Sequence, residues 1–236
     1  MNKTSSDELK RHAALSALDE IQDGMIVGLG TGSTASHFIR GLGERVQDGL
    51  HVLGIPTSEA SRLLATEVGV LLTTLKDHPE IDITVDGADE VSPQLDLIKG
   101  LGGALVREKI VAHASRRMIV VVDETKMVEK LGQSAPIPVE VVPFAVDSVI
   151  SQLVRWKGKV QLREKDGQPF ISDNGNLILD WQCGEIDEPF IVEKQLKAIT
   201  GVVDSGIFAK IAEDVIVAER ASIRKISRAD LEGERL

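Results

Sequence analysis

Apolar positions recur every four residues near the start of the chain, at Leu9, Ala13, Ala17 and Ile21, and this spacing predicts a helix. Ser5-Ser6-Asp7-Glu8 ahead of it reads as a capping box, with Ser5 at the N-cap and Glu8 three places on. Short apolar runs then alternate with helical patterns. MIVGLG (Met25 to Gly30), HVLGIP, IDITVDG and RMIVVVD predict strands. STASHFIRGL, SEASRLLATEV and ALVREKIVAHAS predict the helices that separate them. Strands that alternate with helices imply a parallel, doubly wound α/β sheet.

The rhythm changes after Lys130. IPVEVVP predicts a strand, AVDSVISQLVRW a helix, and KVQLRE a strand. FISDNGNLILDW predicts a strand with an Asp-Asn-Gly-Asn turn near its start, EPFIVEKQLKAI a helix, and GVVDSG the start of another strand. Strand–helix–strand–strand–helix–strand is the split βαβ of a ferredoxin-like α+β domain. EDVIVAE predicts a late strand that returns to the first sheet. The expected organisation is therefore residues 1–130 with 205–236 as one domain and 131–204 as a smaller one. No internal repeat or low-complexity linker interrupts the pattern.

Composition narrows the function. The chain has 236 residues, 42% hydrophobic and 27% charged, with a net charge of −10. That suits a globular protein with a real core and disfavours nucleic acid as a partner, since nothing offsets phosphate repulsion. The single cysteine, Cys183, rules out a disulfide framework within one chain and fits a reducing compartment such as the cytoplasm. The polar N-terminal stretch predicts a helix rather than a signal peptide, and the longest apolar run, Met118 to Val122, is too short for a membrane span. Aromatic residues make up 3% of the chain, so a sugar site here would rest on hydrogen bonds and charges rather than stacked rings.

Three stretches carry candidate chemistry. In VGLGTGSTA (Val27 to Ala35), Gly28, Gly30 and Gly32 alternate between a predicted strand and helix, followed by Ser33 and Thr34. Free backbone N–H groups, the helix dipole and hydroxyl donors suit a phosphate. The alternative is a tight turn with Ser33 or Thr34 as N-cap. No lysine follows in the Walker position, and the third glycine of a dinucleotide fingerprint would fall on Ser33. In DGADE, Asp86 and Asp89 stand at a strand's carboxyl end, where open α/β sheets bind ligands. They suit sugar hydroxyls, a metal or proton exchange, or else Asx-turns with their own backbone. The five histidines are scattered, so no cluster supports a transition-metal site. In KGLGGALVREK, Lys99 precedes a glycine-rich turn and Glu108 follows it, one to two turns into a helix. Lys99 suits an oxyanion or a plain surface position, and Glu108 suits a base or a solvated helix face. Together the inventory fits proton transfer next to a carbonyl on a small phosphorylated substrate. That chemistry requires no cofactor, and none is signalled.

The stretches IVGLGTGSTASHFI, TVDGADE, IKGLGGALVREKI, VDETKMVEKLG, IPVEVVPFA, GNLILD and GVVDSGIF resemble the A-type ribose-5-phosphate isomerases, in the family's order and over nearly the whole chain. The resemblance implies a Rossmann-like larger domain and a ferredoxin-like smaller one. It implies interconversion of D-ribose 5-phosphate and D-ribulose 5-phosphate without metal, by a homodimer or homotetramer. Residue by residue, it places the general base on Glu108, the ring-opening and hydroxyl-binding acids on Asp86 and Asp89, and the catalytic lysine on Lys99. Thr31, Gly32, Ser33 and Thr34 match the phosphate cradle. Gly87 and Ala88, and Gly100, Leu101 and Gly102, line the same motifs. Lys126 of DETK and Lys10 of DELK match further substrate contacts.

The chain departs from the family at Leu101, where a glycine is usual. Leucine does not sit easily at positive φ, so either this position has an ordinary backbone or the loop differs. The alternative function is a non-catalytic sugar-phosphate sensor on a related fold, which has no need of Glu108 and Lys99. Acyl-CoA transfer on a related fold asks for a glutamate nucleophile, and the motif order argues against it.

Overall fold

The computed structural model describes residues 6–233, so the expected N-cap Ser5 lies outside the described residues. The chain starts with α1 (Ser6–Ser16), then β1 (Ile26–Leu29), α2 (Ser33–Gln47), β2 (Leu53–Pro56), α3 (Glu59–Glu67), β3 (Leu71–Leu72) and β4 (Ile83–Asp86). Two short strands follow, β5 (Glu90–Val91) and β6 (Leu97–Ile98), then α4 (Leu105–Ala114) and β7 (Met118–Asp123). Next come β8 (Ile137–Val141), α5 (Val146–Trp156), β9 (Lys159–Leu162), a hairpin of β10 (Glu164–Lys165) and β11 (Gln168–Pro169), and β12 (Leu177–Gln182). The chain finishes with α6 (Pro189–Lys197), β13 (Val202–Ser205), β14 (Ile207–Phe208), β15 (Asp214–Ala218), β16 (Ile223–Ser227) and α7 (Arg228–Gly233). The described residues pack into two compact units. One holds residues up to Ala88, Arg107–Lys126 and those from Ile211 on, and the other holds Asp89–Val106 and Met127–Lys210. Packing thus groups 89–106 with the smaller unit.

In the first unit a seven-stranded sheet runs β16-β15-β7-β4-β1-β2-β3. All neighbours are parallel except the terminal β15–β16 pair. Parallel strands are covered on both faces, which is why every residue of Met118–Asp123 is buried. On one face Val27, Leu29, Val85, Ile119 and Val121 pack against Leu9 and Ala13 of α1 and Phe38, Ile39 and Leu42 of α2. Ala35, Phe38, Ile39 and Leu42 recur with helical period, and this stripe is what α2 buries. On the other face Val111 of α4 packs with Ile55 and Ile81. The four-residue spacing at the N-terminus does not give one long helix. α1 ends at Ser16 and Ala17–Glu20 form a 3-10 turn, yet Leu9, Ala13, Ala17 and Ile21 are all buried.

The second unit has a four-stranded antiparallel sheet in the order β13-β8-β12-β9. Chain order and sheet order together are those of the split βαβ motif. Ile137, Val139 and Val141 of β8 face Val149 and Leu153 of α5 and Leu196 of α6 in one core. A smaller antiparallel sheet, β14-β6-β5, was not predicted by the hydrophobic pattern. Its strands are two residues each, too short to show a period.

Candidate active site

The first glycine turn joins β1 to α2. A Cβ on Gly28 would lie 1.8 Å from Thr84 Oγ1 and 2.8 Å from Val111, and one on Gly30 would lie 2.3 Å from Asp86 Oδ1. Gly32 has φ +103° and is itself the N-cap, with Ser33 and Thr34 in the first turn of α2. A glycine cap has no side chain to offer the first N–H groups of the helix, and no side-chain cap bond is made there. The turn is fixed from its flank instead. Asp86 is fully buried, and its Oδ1 accepts from the N–H of Thr31 at 3.0 Å and of Gly87 at 2.8 Å. The Thr31 hydroxyl joins those of Thr57 (2.8 Å), Ser58 (2.8 Å) and Ser61 (3.2 Å). Both polar groups of Thr31 therefore shape the turn, while Ser33 is exposed and Thr34 half-buried at the start of α2.

Glu108 stands in the first turn of α4, closer to the helix start than the sequence spacing suggests. A carboxylate is favoured there by the positive end of the helix dipole. It is 3% exposed. Val111, three residues on and so on the same helix face, is the side chain that meets the Gly28 position. Glu108 is thus one turn nearer the carboxyl edge of the sheet than Gly28. That is the edge where β1 runs into the first glycine turn and β4 ends in Asp86. Gly87 and Ala88, both half-buried, continue from Asp86. Lys126 closes the 3-10 turn Glu124–Lys126 beyond the end of β7, at that same edge. Asp123, which no sequence argument singled out, ends β7 almost fully buried. Its Oδ1 accepts from the N–H and hydroxyl of Thr125, and its Oδ2 is buried without a hydrogen-bond partner among the described residues. Lys10 is placed by α1 instead of by a strand end, half-buried on the helix that also carries Asp7.

The second unit carries Asp89, Lys99, Gly100, Leu101 and Gly102. Lys99 is 2% exposed, with its N–H on the Gly206 carbonyl at 2.8 Å and its Nζ 5.5 Å from the centre of the Phe208 ring. In the turn that follows, the left-handed positions are Gly100 (φ +97°) and Gly103 (φ +88°), and Leu101 lies outside that region. Leu101 therefore has an ordinary backbone, and leucine costs the loop no strain. The Leu101 N–H donates to Asp89 Oδ2 at 3.0 Å. Next to Asp89, the buried Glu90 takes the N–H groups of Gly132, Ser134 and Ala135 and the Ser134 hydroxyl, a structural role that DGADE does not announce.

Charge elsewhere in the first unit ties its N-terminal segment to the sheet. Arg117 of the α4–β7 turn pairs with Asp214 and, at 2.9 Å, with Glu20, while Lys225 reaches Glu20 at 2.6 Å. Hydrogen bonds from Lys225 and Arg117 hold the Glu20 carboxyl below its ordinary range. Burial pushes Asp214 up, but Ser227 and Arg117 more than offset it, and its net direction is down. Among the described residues, no group of three or more His, Cys, Asp or Glu is placed to hold a metal ion, and no helix is long and apolar enough to cross a membrane. His37, His51 and His78 bond Asp7, Asp23 and Thr73 respectively.

Fold and site define an α/β scaffold with a glycine turn opening α2 and the buried carboxyl groups Asp86 and Glu108 at the carboxyl edge of a parallel sheet. The family profile described as ribose 5-phosphate isomerase A (phosphoriboisomerase A) matches residues 53–222. A ribose-5-phosphate isomerase A of Bradyrhizobium diazoefficiens is 51% identical over 97% of this chain and 99% of its own length. A D-ribose-5-phosphate isomerase solved in complex with phospho-erythronic acid superposes with a TM-score of 0.93 at 44% identity, covering 94% of this chain and 99% of that one. The ribose 5-phosphate isomerase A of Methanocaldococcus jannaschii superposes at 0.90 with 43% identity, covering 94% and 100%. The chain belongs to the ribose 5-phosphate isomerase A family.

Proposed function

We propose that this chain is an aldose–ketose isomerase that interconverts D-ribose 5-phosphate and D-ribulose 5-phosphate in the non-oxidative branch of the pentose phosphate pathway. Family membership supports the reaction. The observation that carries the mechanism is the burial of Glu108 in the first turn of α4, on the helix face that packs over Gly28. Glu108 removes the proton from C2 of the open-chain aldose and returns it to C1. A cis-enediolate lies between the two states, and the hydroxyl proton moves between O1 and O2 so that charge balances. Lys99 offsets the charge that develops on the enediolate oxygens. Asp86 and Asp89 serve ring opening and hydroxyl binding, and Asp86 in addition holds the Thr31 amide of the cradle. The N–H groups and hydroxyls of Ser33 and Thr34 take the phosphate, with Thr31 and Gly32 shaping the turn. Gly87, Ala88, Gly100, Leu101 and Gly102 supply main-chain contacts, and Lys126 and Lys10 add positive charge toward the phosphorylated substrate. Glu108 and the first glycine turn belong to the first unit, and Asp89 and Lys99 to the second. The working form is a homodimer or homotetramer in the cytoplasm. A sensor that only binds the sugar phosphate has no use for a buried glutamate at position 108.

The test is a direct assay of ribulose 5-phosphate formation from ribose 5-phosphate by the purified protein after exhaustive EDTA treatment. Turnover is expected to persist. Binding without turnover would revive the sensor, and loss of turnover restored by added metal would make Asp86 and Asp89 metal ligands.

A further inference from the structure

Arg163 stands between β9 and β10, far in sequence from every residue assigned a role above, and its side chain is 11% exposed. Its main chain is held on both sides, with the N–H on Ile178 and the carbonyl taking the N–H of Phe170. Asp180 lies on β12 between Leu179 and Trp181, which point into the helix-covered core, so the pleat turns it to the opposite face of the sheet. The Arg163 guanidinium pairs there with Asp180 through Nη2 and through Nε at 2.9 Å. Its remaining nitrogen, Nη1, donates to the carbonyls of Gly100 at 2.8 Å and Leu101 at 3.0 Å. Phe170, on the same connection, packs where Gly103 lacks a side chain, 2.4 Å from the position a Cβ would take.

The Gly100–Leu101 peptide is therefore anchored on both sides, the Gly100 carbonyl on Arg163 and the Leu101 N–H on Asp89, and the next carbonyl, of Leu101, is on Arg163 too. Glycines on either side leave the turn few side chains of its own to hold it. The geometry points to Arg163, aimed by Asp180, as a positioning residue for the isomerisation. It fixes the Gly100–Leu101 peptide, that peptide orients the Asp89 carboxylate, and the same grip steadies the backbone leaving Lys99. Only a planar fork with several donors can hold a carboxylate and two carbonyls together, which a lysine ammonium cannot do. The inference rests on the roles proposed for Asp89 and Lys99.

The experiment is a double-mutant cycle on kcat/KM with Arg163→Gln and Asp89→Asn. Displacement of reacting groups by about an ångström costs roughly 10²-fold, and that is the loss expected for Arg163→Gln. Because Arg163 acts through Asp89, the double variant is expected to lose little more than the worse single one. Losses that multiply independently would overturn the inference, since a purely structural arginine gives that result. Arg163→Lys is expected to recover only a small part of the loss, and full recovery would also overturn it. Should Arg163→Gln fail to fold by circular dichroism, Asp180→Asn takes its place in the cycle. That variant keeps the guanidinium and removes the charge that aims it, with an expected loss of roughly ten-fold and the same non-additivity. Neutral Arg163→Gln beside a damaging Asp89→Asn sinks the inference alone. Neutral Asp89→Asn sinks the role of Asp89 as well.

Discussion

The chain has two glycine-rich turns that open helices, Gly28–Thr34 and Lys99–Gly103, and they are held in different ways. The first is gripped at its flank, through both polar groups of Thr31, by a carboxylate from β4 and hydroxyls that follow β2. At the start of α2 its N-cap, Gly32, makes no side-chain cap bond. The second is gripped on its carbonyls by Arg163 and on an N–H by Asp89. A turn that binds with its own backbone has to keep donors uncommitted, so its anchors sit to one side. The role proposed for the second turn, binding through the side chains of Lys99 and Asp89, leaves its backbone free to be tied down. The glycines differ accordingly. Gly28 and Gly30 are required by neighbouring atoms, Gly32 by positive φ, Gly100 and Gly103 by both, while Leu101 has an ordinary backbone.

The largest effect expected is for Glu108→Gln, which assigns the proton transfer to the side of the first turn. Turnover should fall about 10²- to 10⁴-fold, while calorimetric affinity for the proposed substrate, ribose 5-phosphate, changes little. Near-full turnover would remove Glu108 as the base. The glycine contrast comes next. Gly30→Ala should cost about 1–3 kcal/mol in denaturant unfolding, because its methyl meets Asp86. Leu101→Gly should stay within about 1 kcal/mol, because that side chain is exposed on an unstrained backbone. Equal costs would erase the distinction between the turns. Ser33→Ala with Thr34→Ala should weaken binding of the phosphorylated ligand about ten-fold, and unchanged affinity would move the phosphate away from the first turn.

The smallest effect is with pH and concerns the ionic clamp around Arg117 in the unit that carries the first turn. Glu20 and Asp214 have folded pKa values below their ordinary 4.5 and 3.8. Their contribution to stability is therefore full above those ordinary values and is lost as pH falls through the lowered ones. Thermal midpoints should drop on acidification below about pH 4.5, and Arg117→Met should flatten that drop. A midpoint indifferent to pH in that range would mean the clamp does not stabilise the unit.

Much of this was written in local patterns. The period-3.6 stripe of α2, the apolar run of β7 and the strand–helix order define the parallel sheet and the split βαβ unit, because burying a stripe or a face leaves few arrangements. That Asp86 and the first glycine turn lie at strand ends was legible too, because a parallel sheet collects its carboxyl ends on one edge, whereas Lys99 follows a strand of the small antiparallel sheet. The short strands β5, β6 and β14 were not, since two residues carry no period. Nor was the fate of DGADE, where three neighbouring carboxylates turn to Thr31, to Leu101 and to the 132–135 loop.

The sequence by itself determined the α/β fold class and the family, because these follow from periodicity and from motif order. Only the tertiary structure decided which donors are already committed, as with Thr31. It also decided that Leu101 avoids the left-handed region and that Arg163, more than 60 residues along the chain, holds the second turn. The reason is physical: a hydrogen bond depends on distance and direction in space, and residues remote in sequence come within 3 Å only once the sheets have formed.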